Sequence, residues 1–99
     1  MKIWHQSFTD LTTLTQYRDT LRAHSRAVMG DDAEVVVHGL RPGTYPPGIA
    51  PMEVNSIGAL RMINEQQVLD AALASQQGGY DALAIGCFFD PPLHAARSL

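Results

Sequence analysis

Apolar and polar positions alternate along this chain in two rhythms. Met1-Lys2-Ile3-Trp4-His5 is a short apolar start that predicts a first strand, followed by the polar turn Gln6-Ser7-Phe8-Thr9-Asp10 with its capping residues. Leu11, Leu14, Tyr17, Leu21 and Val28 then recur at three, three, four and seven, a helical period that Gly30-Asp31-Asp32 ends. Val35-Val36-Val37, within Glu34 to His38, is a β-branched run and predicts a strand buried on both faces. Between Gly39 and Asn55 lie four prolines and three glycines. Missing amide donors and the restriction of each residue before a proline exclude a regular element there, leaving a long loop. A second helix is predicted from Ser56 or Leu60 to Gln77, with Met62, Leu69 and Leu73 as its apolar face and Gly78-Gly79 as its stop. Ala82 to Gly86 reads as a third strand, and a third helix begins at Pro91 or Pro92 with Asp90 as its N-cap.

The order is βαβαβα. Alternation at this spacing predicts a single α/β domain over residues 1–99: a three-layer fold around a parallel sheet with right-handed crossovers. In the doubly wound strand order 2-1-3, the chain reverses direction between strands 1 and 3 and opens a crevice at their carboxyl ends. Gln6-Ser7 and Cys87 are expected to meet there. The last helix would be short and strand 3 would be an uncovered apolar edge, which invites pairing. The expectation is therefore that the chain is truncated or needs another chain to complete its sheet.

Composition narrows the function classes. Hydrophobic residues are 45% of the chain and charged residues 17%, the balance of a globular domain rather than a disordered one. The net charge is -3 and no basic cluster with interleaved aromatics exists, so nucleic acid is not an expected partner. A single cysteine forms no internal disulfide, which fits a reducing cytoplasm, and builds no Cys-rich zinc site. His5, His24, His38 and His94 show no metal-ligand spacing, and no apolar stretch approaches the roughly 18 residues of a membrane span. The expected partner is a small-molecule substrate, together with a second lobe or a second copy of the chain.

Cys87 is the leading candidate for chemistry. A thiol just past a strand and ahead of a capped helix has backbone N–H groups to stabilise its thiolate, which depresses its pKa below the free value of about 8.5. No CxxC accompanies it, which disfavours a thioredoxin-like role. Ser7 can donate to a substrate carboxylate or carbonyl, or act simply as a turn serine; Gln6 can bond a carboxylate through its amide. Asp90 caps a helix or orients a substrate amine. His5 and His38 fall at predicted strand ends facing the crevice and are read as structural before catalytic. Tyr45 is a candidate lid residue, while Met52, Met62 and Phe88-Phe89 are core or pocket wall.

Gly86-Cys87-Phe88-Phe89-Asp90-Pro91 resembles the GCFxDP motif of the hydantoin racemase-like branch of the Asp/Glu/hydantoin racemase superfamily. Ile3-Trp4-His5-Gln6-Ser7 and Ala59-Leu60-Arg61-Met62-Ile63-Asn64-Glu65-Gln66-Gln67 support the likeness, which runs essentially from end to end. The resemblance implies the amino-terminal lobe of a two-lobed, cofactor-independent racemase. Each lobe contributes one cysteine, and the substrate, an amino acid, a hydantoin or a small carboxylate, lies between them. Cys87 would be the first cysteine, with Gln6, Ser7, Phe88 and Asp90 around the substrate and no metal or organic cofactor. The chain departs from the pattern in lacking a second cysteine, so one copy alone cannot carry out two-base racemisation. A one-cysteine decarboxylase or cis–trans isomerase of the same superfamily is the alternative enzyme, and a non-catalytic truncated product the alternative to both.

Overall fold

The computed structural model describes residues 1–46, 48–49, 53, 56–86 and 93–99. Three strands, β1 (Lys2–Ser7), β2 (Glu34–His38) and β3 (Ala82–Gly86), form a parallel sheet in the order β2-β1-β3. Three helices join them: α1 (Thr15–Met29) between β1 and β2, α2 (Gly58–Gln77) between β2 and β3, and α3 (Leu93–Arg97) after β3. The α/β class, the parallel sheet and its 2-1-3 order agree with the sequence reading. Because the first crossover runs from β1 out to β2 and the second returns from β2 past β1 to β3, one common handedness puts α1 and α2 on opposite faces. Accordingly α1 packs on β2, whereas α2 packs on β1 and β3 and carries α3 beside it.

β1 is the central strand and the longest. Its register matches Gln6 with both His38 and Ile85, and Ser7 with Gly86. The strand therefore runs two residues beyond the apolar start expected from sequence. Gln6 and Ser7 end a strand rather than open a turn, because both neighbours supply ladder partners to that point. The helix after it starts later than Leu11. Asp10 accepts hydrogen bonds from the N–H and the hydroxyl of Thr12, and its carbonyl accepts from Thr13. This Asx turn competes with helical bonding, so α1 begins at Thr15.

The helix faces also differ from the periodicity. No residue of α1 is buried; Leu14, Tyr17 and Val28 are exposed and Leu21 is half-buried. In α2 the expected face of Met62, Leu69 and Leu73 is not the buried one: Met62 is 71% exposed and Leu73 42%. The stripe laid on the sheet is Asn64, Gln67, Val68, Ala71, Ala72 and Ser75. Its small residues let the helix axis approach the strands, which the larger face would hold away. Met62 is thus neither core nor pocket wall. Of the valine run only Val37 is fully buried, since α1 covers just the β2 side of its face.

On the α2 face, Trp4 stacks on His38 at 3.6 Å between ring centroids and meets Tyr80 edge-on at 5.2 Å. His5 has the opposite parity in β1, so the two strand histidines lie on opposite faces of the sheet rather than together at the crevice. Among the described residues no strand pairs with the outer side of β3. No helix among them is long and apolar enough to cross a membrane.

Gly39 tests how tightly the turn after β2 is seated. A Cβ there would come within 2.8 Å of both Leu11 Cγ and the Thr9 carbonyl oxygen. Gly39→Ala is expected to cost about 1–3 kcal/mol, read as a lowered urea midpoint. Gly58→Ala, at the start of α2 with nothing within 4 Å of its Cβ position, is expected to be neutral or to stabilise by up to about 1 kcal/mol.

Candidate functional site at the carboxyl end of the sheet

Buried polar side chains gather at one end of the molecule. Gln6, Ser7, Thr9, Asp10, Asn64 and Gln67 are buried around the carboxyl ends of β1 and β2; Ser75, level with the other end of the strands, is the exception. A small domain tolerates such a concentration only if its hydrogen bonds are made.

Most are. Gln6 is 3% exposed; its Oε1 accepts from the Trp4 indole at 2.9 Å and its Nε2 donates to the Ser7 carbonyl at 3.1 Å. Ser7, 2% exposed, shares a 2.8 Å hydrogen bond with the Thr9 hydroxyl and accepts from the Thr9 N–H at 3.3 Å. The two predicted substrate-binding residues on β1 therefore lie in succession at the carboxyl end of the strand, with internal partners.

Asp10 joins this end to the loop after β2. Its N–H donates to the Tyr45 hydroxyl at 2.9 Å, and its Oδ2 accepts from the Gly43 N–H at 3.1 Å. Burial pushes the Asp10 carboxyl up, but the Thr12 hydroxyl, the Gly43 N–H and the Thr12 N–H outweigh it and hold the pKa below its ordinary value. Tyr45 thus covers the end of β1 as a fixed strap anchored to Asp10. Leu40 and Tyr45 form a small apolar cluster with Ile49 and with Leu60 of α2. Gln67 fastens the same loop to α2, accepting from the Arg41 N–H at 2.7 Å and donating to the Thr44 hydroxyl at 2.9 Å.

The histidines stand apart from this network. Burial lowers the pKa of His5, offset in part by a backbone hydrogen bond; burial and the Arg22 charge lower that of His38. His5 Nδ1 and His38 Nε2 are buried with no partner among the described residues. A Cβ on Gly86 would lie 2.8 Å from His5 Cε1, so the last residue of β3 sits directly against the imidazole. The groove beside α2, lined by Trp4, Gln6, His38, Arg41, Gln67 and Asp70, has a volume of about 190 Å³. No cluster of three or more His, Cys, Asp or Glu suited to a metal ion occurs among the described residues.

Cys87, Phe88 and Asp90 lie outside the described residues, as do Phe89 and Met52. Asn64, Gln67 and Asp10 are the residues that sequence reasoning passed over. Asn64 and Gln67 could have been found from their spacing, because both share the helix stripe of Val68, Ala71 and Ala72, and a polar residue on an inward stripe calls for a partner or a purpose. No family model, no characterised protein and no solved structure matches the chain.

A carboxyl held below its unfolded pKa stabilises the fold above about pH 4 and loses that contribution as the pH falls through the folded value. Asp10→Asn is therefore expected to lower stability at neutral pH by about 1–3 kcal/mol, the scale of a buried charged hydrogen-bond partner. It should also flatten the acid limb of stability against pH, measured by urea unfolding at a series of pH values.

Proposed function

We propose that this chain is a racemase-family polypeptide, the amino-terminal lobe of a cofactor-independent enzyme acting on an amino acid or a hydantoin, with Cys87 as its acid–base group. One observation carries the reading: the β2-β1-β3 order with Ser7 in register with Gly86, the residue before Cys87 in sequence. That is the switch-point arrangement in which open α/β sheets take ligands. The Gly86-Cys87-Phe88-Phe89-Asp90-Pro91 motif and the buried polar groups around Ser7 support it.

The chemistry follows from a thiol that can serve as either acid or base. As thiolate it takes the proton from the α-carbon: the C–H bond breaks, an S–H bond forms, and the electron pair delocalises onto the adjacent carbonyl. Preorganised N–H and hydroxyl donors stabilise the charge on that oxygen. Inversion needs a second proton donor on the opposite face, contributed by a second lobe or a second copy of the chain. Without it, a single thiol returns a solvent-equilibrated proton to the face from which it came.

The test is deuterium incorporation at the α-carbon of 5-substituted hydantoins and amino acids in deuterium oxide, followed by NMR and chiral chromatography. The expected result is exchange with retained configuration, reduced at least about 100-fold by Cys87→Ser, the scale of a lost general acid–base group. Exchange unchanged by Cys87→Ser would remove the thiol from the mechanism, and release of carbon dioxide would move the chain to the one-cysteine decarboxylases.

A further inference from the structure

We propose that the outer edge of β2 is a docking surface for a second copy of this chain. The two β2 strands pair antiparallel about Val36 and join the two sheets into one. The pairing goes beyond the functional reading above and does not rest on it. Glu34 donates its N–H to the Met1 carbonyl at 2.8 Å, so the backbone groups of Glu34, Val36 and His38 turn toward β1. Direction alternates along a strand, so those of Val35 and Val37 turn outward. Among the described residues no strand pairs with that side. Neither proline nor lysine, devices by which exposed edges avoid pairing, occurs in Glu34–His38.

The sequence of β2 fits its own reverse. In an antiparallel pair centred on Val36, Val35 of each copy meets Val37 of the other and exchanges both N–H···O=C bonds with it. Those are the residues whose backbone groups turn outward. Val36 meets its own copy in a closely spaced, non-hydrogen-bonded pair, and Glu34 meets the second copy's His38. Centring the pair on Val35 sets Glu34 against Val36, and centring it on Val37 sets His38 against Val36. Only the register about Val36 keeps apolar with apolar and polar with polar.

The surroundings suit a second copy. A groove of about 500 Å³ runs along this edge, lined by the valine run, by Arg22 and Arg26 of α1, and by Asp31 and Glu34. No residue of β1 lines it, which places it on the outer side of β2. Its cations and anions balance, so a copy meeting its own surface is not repelled. The second copy's Glu34 arrives beside His38, whose pKa is lowered by burial and then by the Arg22 cation; that cation attracts the arriving carboxylate. A two-fold axis perpendicular to the sheet relates the antiparallel strands, so both α1 helices lie on one face. α1 packs on β2 and has no buried residue, which leaves it open to its copy there. The carboxyl ends of the two sets of strands point in opposite directions. This copy therefore does not supply the second proton donor of the proposed reaction.

Sedimentation of the whole chain tests the surface, and a cross-link tests the register. The wild type is expected to be a dimer at about 100 μM. Val36→Lys is expected to raise the dissociation constant at least about 10-fold, because two like charges then lie directly opposite. Val36→Cys in a Cys87→Ser background is expected to give a disulfide-linked dimer with oxidised glutathione, since a non-hydrogen-bonded pair lies within bridging distance. Val35→Cys in the same background, whose side chain lies on the other face opposite Val37, is expected not to. Val36→Cys, close to valine in size, carries the test if the lysine variant does not fold. A wild type that is monomeric at that concentration overturns the proposal. So does a dimer that Val36→Lys leaves intact, which would place the interface elsewhere, as on the outer side of β3. Cross-linking of Val35→Cys as readily as Val36→Cys, or of neither, overturns the register and with it the surface.

Discussion

The arrangement at the carboxyl end of this sheet depends on Asp10. Every polar group of that residue is committed: its N–H to Tyr45, its carboxylate to Thr12 and Gly43, its carbonyl to Thr13. Two of these partners come from the loop after β2, more than thirty residues away in sequence. A proline- and glycine-rich loop has no ladder to hold it, and its closure entropy opposes a fixed position. A buried carboxylate that accepts backbone N–H bonds offsets that cost with hydrogen bonds stronger than neutral ones. With the loop fixed, Arg41 and Thr44 are in place to receive Gln67, and α2 is set over the end of the sheet. The same contacts then define the polar end of the sheet.

The sheet was legible in the sequence because its determinants are local. The β-branched run of β2, the apolar run Ala82 to Gly86 and the alternation with helical segments predict a parallel sheet, and the doubly wound order 2-1-3 is the one found. The helix faces were not legible, because periodicity records which residues are apolar and not which ones pack. Met62 and Leu73 satisfy the helical period yet face outward, since the stripe of Asn64, Val68, Ala71 and Ala72 permits closer approach to the strands. For the same reason the polar members of that stripe were overlooked. The start of α1 differs from the periodicity because Leu11 continues the apolar period, while the Asx turn at Asp10 keeps it, 5% exposed, in the loop.

Ser7 and Gln6 show how one residue type serves two ends. Each is a possible substrate contact by residue type, and each makes its hydrogen bonds within the protein. Gln6 links the Trp4–His38 stack to the last residue of β1, so its amide couples the aromatic layer under α2 to the carboxyl end of the strand. Ser7 makes an ST-type turn with Thr9 that steers the chain from the strand toward Asp10. Their burial gives this end of β1 its rigidity, a condition for any group there to act as a preorganised donor.

Electrostatically, the buried polar side chains at this end other than Asp10 are neutral dipoles. Its one buried carboxylate is already loaded with donors, and Arg41, 70% exposed, turns its guanidinium to Asp70 at 3.9 Å on the surface. Ser7, Thr9, Asn64 and Gln67 are all uncharged. Dipoles held in a low-dielectric setting can stabilise a transient charge without a fixed counter-ion, and they penalise a permanently charged ligand that no cation meets. A group that must give and take a proton at similar cost benefits from such surroundings, because a strong fixed charge would bias it to one protonation state. Asp10 apart, the buried polar side chains at this end carry no charge, surroundings that suit the acid–base chemistry proposed for the thiol that follows β3 in sequence.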